Sequence, residues 1–130
     1  MALNKLERIN LLSRIGLAFL FFYHGLFPKI LWLSPLETHL VELHGIDASI
    51  FPLSQVAGFA EIAIAVSILV FRKSLLTVYA AALALILLLI DVAIVMPGLL
   101  VEAFNPVSTN MMGLLLCYFI WFTQYHFPSN

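Results

Sequence analysis

Four runs of about 20 residues, at 9–27, 53–71, 75–95 and 107–126, are almost continuously apolar, and one helical crossing of a hydrocarbon core needs about that length. In lipid every backbone N–H and C=O must find its partner inside the chain, so each run is expected to be helical. The third run is the purest: between residues 75 and 90 only Thr77 and Tyr79 are polar exceptions. Composition closes off the alternatives. The chain is 63% hydrophobic and 10% charged, against roughly 45–50% and about 25% for soluble domains. Six Lys+Arg and seven Asp+Glu cannot cover a water-exposed globule of 130 residues, so a soluble monomer and a disordered chain are both excluded. A net charge of −1, with no more than two basic residues in succession, argues against nucleic acid as a partner. The single cysteine, Cys117, excludes an internal disulfide, a dithiol pair and a cysteine metal cage. The expected class is all-α: one domain over residues 1–130, an integral membrane four-helix bundle whose first partner is the lipid bilayer.

Stop signals separate the spans. Pro28 is expected to end the first and Pro97-Gly98 the third, because proline cannot continue a helix and glycine suits its C-terminal geometry. Arg72-Lys73-Ser74 reads as a tight turn between two antiparallel spans. Asn105-Pro106 reads as an N-cap followed by proline at the first helical position. In the first loop, Ser34-Pro35-Leu36-Glu37 has the form of a capping box, and Gly45 supplies a stop. Leu36, Leu40 and Leu43 between them form one stripe, which predicts a short amphipathic helix over about 35–44. Lys5 and Arg8 before an apolar run resemble a signal peptide, but Arg14 interrupts that run and Tyr23-His24-Gly25 is no small-residue cleavage site. The first span is therefore expected to stay attached. Lys5, Arg8, Arg14, Arg72 and Lys73 fall on one side and only Lys29 on the other. The positive-inside rule then places both termini in the cytoplasm and the long first loop outside.

Depth along each span locates the polar chemistry. With a rise of about 1.5 Å per residue, His24, Asp91 and Asn110 each lie roughly 9 Å from the centre of their spans, toward the outer face. Glu61 lies near the midplane and Arg14 roughly 6 Å to the cytoplasmic side. An ionised group in hydrocarbon costs at least ~2.5–3.5 kcal/mol, so these groups are expected to face inward and pair. The expected pairs are Arg14 with Glu61, and His24 with Asp91 and Asn110, with Lys29 capping the outer mouth. Together these residues predict a pocket between spans one, three and four, walled by Phe21, Phe27, Leu87 and Leu114. Small-polar stripes are expected to mark the inner faces: Ser54, Gly58, Glu61 and Ala65 on span two, Pro106, Asn110, Gly113 and Cys117 on span four, and Ala80, Ala84 and Asp91 on span three. Each polar residue also has a structural role open to it: Arg14 snorkelling to headgroups, Glu61 in a structural pair, His24 on a backbone carbonyl, Asp91 capping a helix end. His39 and His44 are spaced wrongly for two ligands on one helix face, and no metal site is expected.

Tyr23-His24-Gly25-Leu26-Phe27-Pro28-Lys29 resembles the signature that closes the first helix of the DoxX-like membrane proteins. Gly58-Phe59-Ala60-Glu61 is similar to the glycine-x-x-glutamate of their second helix, and Phe104-Asn105-Pro106 with Asn110 to the entry of their fourth. Asp91 rests on the depth argument. The resemblance covers nearly the whole chain. It implies a bacterial inner-membrane protein, multi-pass, in a family whose members include membrane partners of oxidoreductases, a thiosulfate:quinone oxidoreductase among them. Some relatives carry a short-chain-dehydrogenase-like domain. This chain has no GxGxxG, no dithiol and no paired haem histidines, so a redox centre would come from a membrane quinone or from an oxidoreductase partner. A second copy of the chain is an admissible partner too. Three functions stay open: a redox-complex subunit with a quinone cavity in the outer half, a solute or proton pathway through Glu61 and Arg14, and a structural or assembly protein. Whether the chain catalyses anything is open with them.

Overall fold

The structure is a computed structural model and describes residues 3–49 and 52–126. Among those residues the regular structure is all helical, with no strand: α1 (Lys5–Leu26), α2 (Pro35–Leu43), α3 (Leu53–Val70), α4 (Leu76–Val95) and α5 (Pro106–His126), with a 3-10 turn at Pro97–Val101. Among the described residues four helices are long and apolar enough to cross a membrane, the first counted over Lys5–Leu31.

Local chemistry sets the ends. Asn4 caps α1 in a full capping box with Glu7, each side chain bonding the other's backbone N–H at 2.8 Å. Asn105 caps α5 by accepting from the Ser108 N–H at 3.0 Å. Ser34 accepts from the Glu37 N–H at 3.2 Å, and Gly45, at φ 74°, ends the turn after α2 in the left-handed region that favours glycine. The Ser34 capping box is only half formed, because the Glu37 carboxylate turns to Lys29 instead.

Pro28 does not stop the first span. The helix widens into a π turn over Phe27–Leu31, with the Trp32 N–H reaching the Phe27 carbonyl at 2.8 Å. Proline lacks an N–H and crowds the preceding turn, and a wider turn accommodates both defects while the chain keeps winding. Lys29 is thereby carried down onto the bundle and buried.

In the bundle α1 packs against α3 and α5, α4 packs against α5, and the sequence neighbours α3 and α4 touch each other little. The inner stripe of α3 is the expected one, with Ser54, Gly58, Glu61 and Ala65 all buried. On α5, Asn110, Gly113 and Cys117 are buried. On α4 the expected face is wrong by one position: Val78, Ala81, Leu85 and Val92 turn inward. That helix is apolar all round, so its periodicity carries no contrast to orient it.

Leu17, Phe21, Ile68, Leu85 and Ile120 form the fully buried centre. Outward-facing Leu12, Phe19, Leu76 and Ile94 are 67%, 64%, 74% and 75% exposed, while Arg14, Lys29 and Glu61 are buried. Apolar outside and charged inside is the reverse of a water-soluble protein. It fits a chain solvated by lipid.

Candidate functional site

Close backbone approach creates the most charged spot in the bundle. A Cβ on Gly25 would fall 2.6 Å from the Gly58 carbonyl oxygen, and one on Gly58 would fall 2.6 Å from the Gly25 carbonyl oxygen. Only paired glycines let α1 and α3 meet this tightly. One turn beyond each glycine stands an ionisable residue, Lys29 after Gly25 and Glu61 after Gly58. The Lys29 ammonium donates to Glu61 Oε1 in a buried ion pair. Its other flank faces Glu37 Oε1 of α2 at 3.9 Å. Burial pushes the Glu37 carboxyl above its ordinary range, Lys29 pulls it back, and Glu61 adds to the rise. Glu61 Oε2 is the only buried side-chain oxygen or nitrogen of the described residues without a hydrogen-bond partner.

This group lies in a recess of about 540 Å³. Ligand sites typically measure ~300–1,000 Å³. Leu20, Phe21, Leu36, Leu40, Leu85 and Leu88 give it apolar walls, with Ser54, the Asn105–Asn110 entry of α5 and the exposed Phe104 at its edge. His24, Lys29, Glu61, Asp91 and Asn110 line it together; Arg14 does not. The recess involves α2 and α3 as well as the three spans expected to form it. Of the four expected walls only Phe21 belongs to it: Phe27 and Leu87 are exposed, and Leu114 packs on the apolar core.

The expected pairs are replaced by others. Arg14 does not meet Glu61. Its guanidinium is fully buried and donates to Asn10 Oδ1 at 3.0 Å, the Ile68 carbonyl at 3.0 Å, the Ser74 carbonyl at 3.4 Å and Gln124 Oε1 at 2.6 Å. Asn10 in turn donates to Thr123 Oγ1 at 2.8 Å and to the Ile120 carbonyl at 3.2 Å. Among the described residues no carboxylate lies within 4 Å of Arg14. The partial negative charge at the C-terminal end of α3 takes that place.

Asp91 does not meet His24 either. It accepts from or shares a proton with His44 Nε2 at 2.8 Å, clasping the end of α2 to α4. This partnership lifts the His44 imidazole above its usual range, with the Leu40 carbonyl on Nδ1 adding to it. Asn110 donates to the Leu85 carbonyl at 3.1 Å and ties α5 to α4. His24 is exposed on the recess wall, its ring beside Tyr23, with no hydrogen bond among the described residues. Asn10, Gln124 and Thr123 escaped the sequence reading because neutral polar residues near a span end carry no depth signal. Glu37 was read only as a cap, although its i, i+3 spacing to Leu40 already set it beside the apolar stripe that lines the recess.

No curated protein and no solved structure matches the chain. The residues of the ion pair and the glycine contact, Gly25, Lys29, Gly58 and Glu61, all fall within the stretch that matches one family. A family model matches residues 18–118, and the chain belongs to the DoxX-like family.

Proposed function

We propose that this chain is the membrane module of a redox complex and holds a membrane quinone in the recess beneath α2, while an oxidoreductase partner exchanges the electrons. One observation carries the reading: a buried Lys29–Glu61 pair at the base of an apolar recess of ligand size. Leucine and phenylalanine walls favour a ring with an isoprenoid tail, and Lys29, Glu61 and His24 offer the few polar contacts that would orient a head group. Family resemblance to membrane partners of oxidoreductases supports the same reading. The chain would sit in the inner membrane with the recess toward the outer face and both termini in the cytoplasm. The test is mass spectrometry of lipids that copurify with detergent-extracted protein. The expected result is a prenylated quinone near one per chain, lost from Glu61→Ala. Protein that carries no quinone and does not bind added decylubiquinone would sink the reading.

A structural or assembly role is the second reading, and Arg14 favours it. Its donors go to four acceptors inside the bundle, which locks α1, α3, the α3–α4 turn and α5 together. Wild-type growth and complex assembly in both Glu61→Gln and His24→Ala would favour that role. A solute or proton pathway through Arg14 and Glu61 has less support, since buried Leu17, Ala65 and Ile68 lie between the two groups along α1 and α3.

A further inference from the structure

We infer that the base of the recess is a hydrogen-bond acceptor site, selecting a ligand that presents a hydroxyl proton. Under the quinone reading, on which this form of the inference rests, it binds the reduced quinol in preference to the oxidised quinone.

Donors and acceptors do not balance at this base. One ammonium, Lys29, lies between two carboxylates, Glu61 and Glu37. An ammonium has three protons to give, whereas two carboxylates offer about eight lone-pair sites. Acceptors are therefore in excess at the base, and the excess has a definite address: Glu61 Oε2, buried and without a partner among the described residues. Glu61 is 7% exposed and lines the recess. A buried acceptor left unmade is costly, and a charged one more so. A ligand hydroxyl meeting Oε2 removes that cost and makes a charge-assisted bond. A carbonyl in the same place would face a carboxylate oxygen, lone pair against lone pair. Lys29, which bonds Glu61 Oε1 and faces Glu37 at 3.9 Å, can turn a remaining proton toward a carbonyl, but that contact leaves Oε2 without a donor, whereas a hydroxyl meets Oε2 directly. A small cation would satisfy Oε2 as well, yet the walls are leucine and phenylalanine, and Lys29 already supplies the positive charge. The observations favour a neutral, largely apolar molecule with a hydroxyl on its ring.

The test uses two matched probe pairs on the purified wild-type protein in detergent. The first pair is 4-hexylphenol and its methyl ether, 4-hexylanisole, which differ in the hydroxyl proton. The second is decylubiquinol and decylubiquinone, titrated under anaerobic conditions. The expected result is tighter binding of phenol over ether and of quinol over quinone, each by about tenfold or more, the factor that one hydrogen bond to a charged group carries. In Glu61→Gln both preferences should fall to within about twofold, because the amide offers a donor beside its acceptor. Equal binding within both wild-type pairs overturns the acceptor site while leaving the quinone reading intact. Selective binding of the phenol with no binding of either decyl compound upholds the acceptor site and overturns the quinone reading. Absence of binding by all four probes overturns both. The wild-type comparisons stand even if the variant fails to fold.

Discussion

Lys29 and Arg14 are both cations buried among apolar helices, and each is accommodated differently. Lys29 has carboxylates on two sides, so removing one leaves a charge in low dielectric with a distant substitute. Glu61→Ala is expected to destabilise by about 3 kcal/mol, the lower end of the range for orphaning a buried charge, because Glu37 stands at 3.9 Å. The double variant Lys29→Met, Glu61→Leu should recover most of that loss. Thermal unfolding in detergent checks both; a Glu61→Ala protein as stable as wild type would rule out the buried pair as a structural element. Arg14 depends on geometry more than on charge. Its planar fork reaches acceptors on three elements, which a single ammonium cannot span. Arg14→Lys is therefore expected to lose about 2 kcal/mol or more despite keeping the charge. The depth scale read from the sequence placed these groups along the membrane normal but could not pair them. The Gly25–Gly58 contact fixes the register of antiparallel α1 and α3 near i + j = 83. Arg14 is then level with residue 69, where Ile68 receives it. Glu61 is eight residues away, about 12 Å along the axis. Register comes from contact between helices, and a single sequence does not display it.

At the level of elements, the legible parts were those with local causes: four spans, the Asn105 and Ser34 caps, and the Gly45 stop. The π turn at Phe27–Leu31 was not legible, because Pro28 signals a stop unless packing with α3 repays a wider turn. That turn is what brings Lys29 to Glu61. Its companion, the glycine contact, gives a direct prediction. Gly58→Ala places a methyl 2.6 Å from the Gly25 carbonyl oxygen, backbone that cannot swing aside. Separation of α1 from α3 is expected to cost about 1–3 kcal/mol and to break the Lys29–Glu61 pair. Gly113→Ala should be milder, since its closest neighbour is the end of the Leu85 side chain. Comparable losses in the two variants would contradict the close backbone contact. Helix α2 adds a pH dependence. Glu37 and His44 are both raised above their ordinary values of 4.5 and 6.5 when α2 is docked. The docked state thus binds more protons than the released one. Its stability is greatest below those ordinary values and falls as pH rises through each raised one. Amide hydrogen exchange in α2, corrected for intrinsic rate, should quicken on passing above the His44 titration. Asp91→Asn should lower the His44 pKa toward 6.5 and move that change to lower pH. Exchange protection that is flat across the range would remove the clasp from the account.

At the scale of the molecule, two polar ends are separated by a packed apolar centre, and their charges differ in kind. Lys29 is consumed by an ion pair and Arg14 by a hydrogen-bond network, both buried. That leaves Lys5, Arg8, Arg72 and Lys73 as the exposed cations, all at the end where α1 begins and the α3–α4 turn lies. The opposite end, with α2 and the recess, presents no exposed Lys or Arg. Among exposed Lys and Arg side chains the asymmetry is four against zero. Trp121 stacked on Tyr125 at 5.4 Å marks the basic end, and exposed Trp32 marks the other, as interfacial aromatics do. The expected topology puts both termini and the α3–α4 turn in the cytoplasm and the recess on the outer side. Single cysteines at Ser49 and Lys73, in a Cys117→Ser background, test it with a membrane-impermeant maleimide. Lys73→Cys leaves three exposed cations in place, so the bias itself persists. In intact spheroplasts Ser49→Cys should be labelled and Lys73→Cys should be labelled only after lysis. The reverse pattern would turn the recess and α2 toward the cytoplasm.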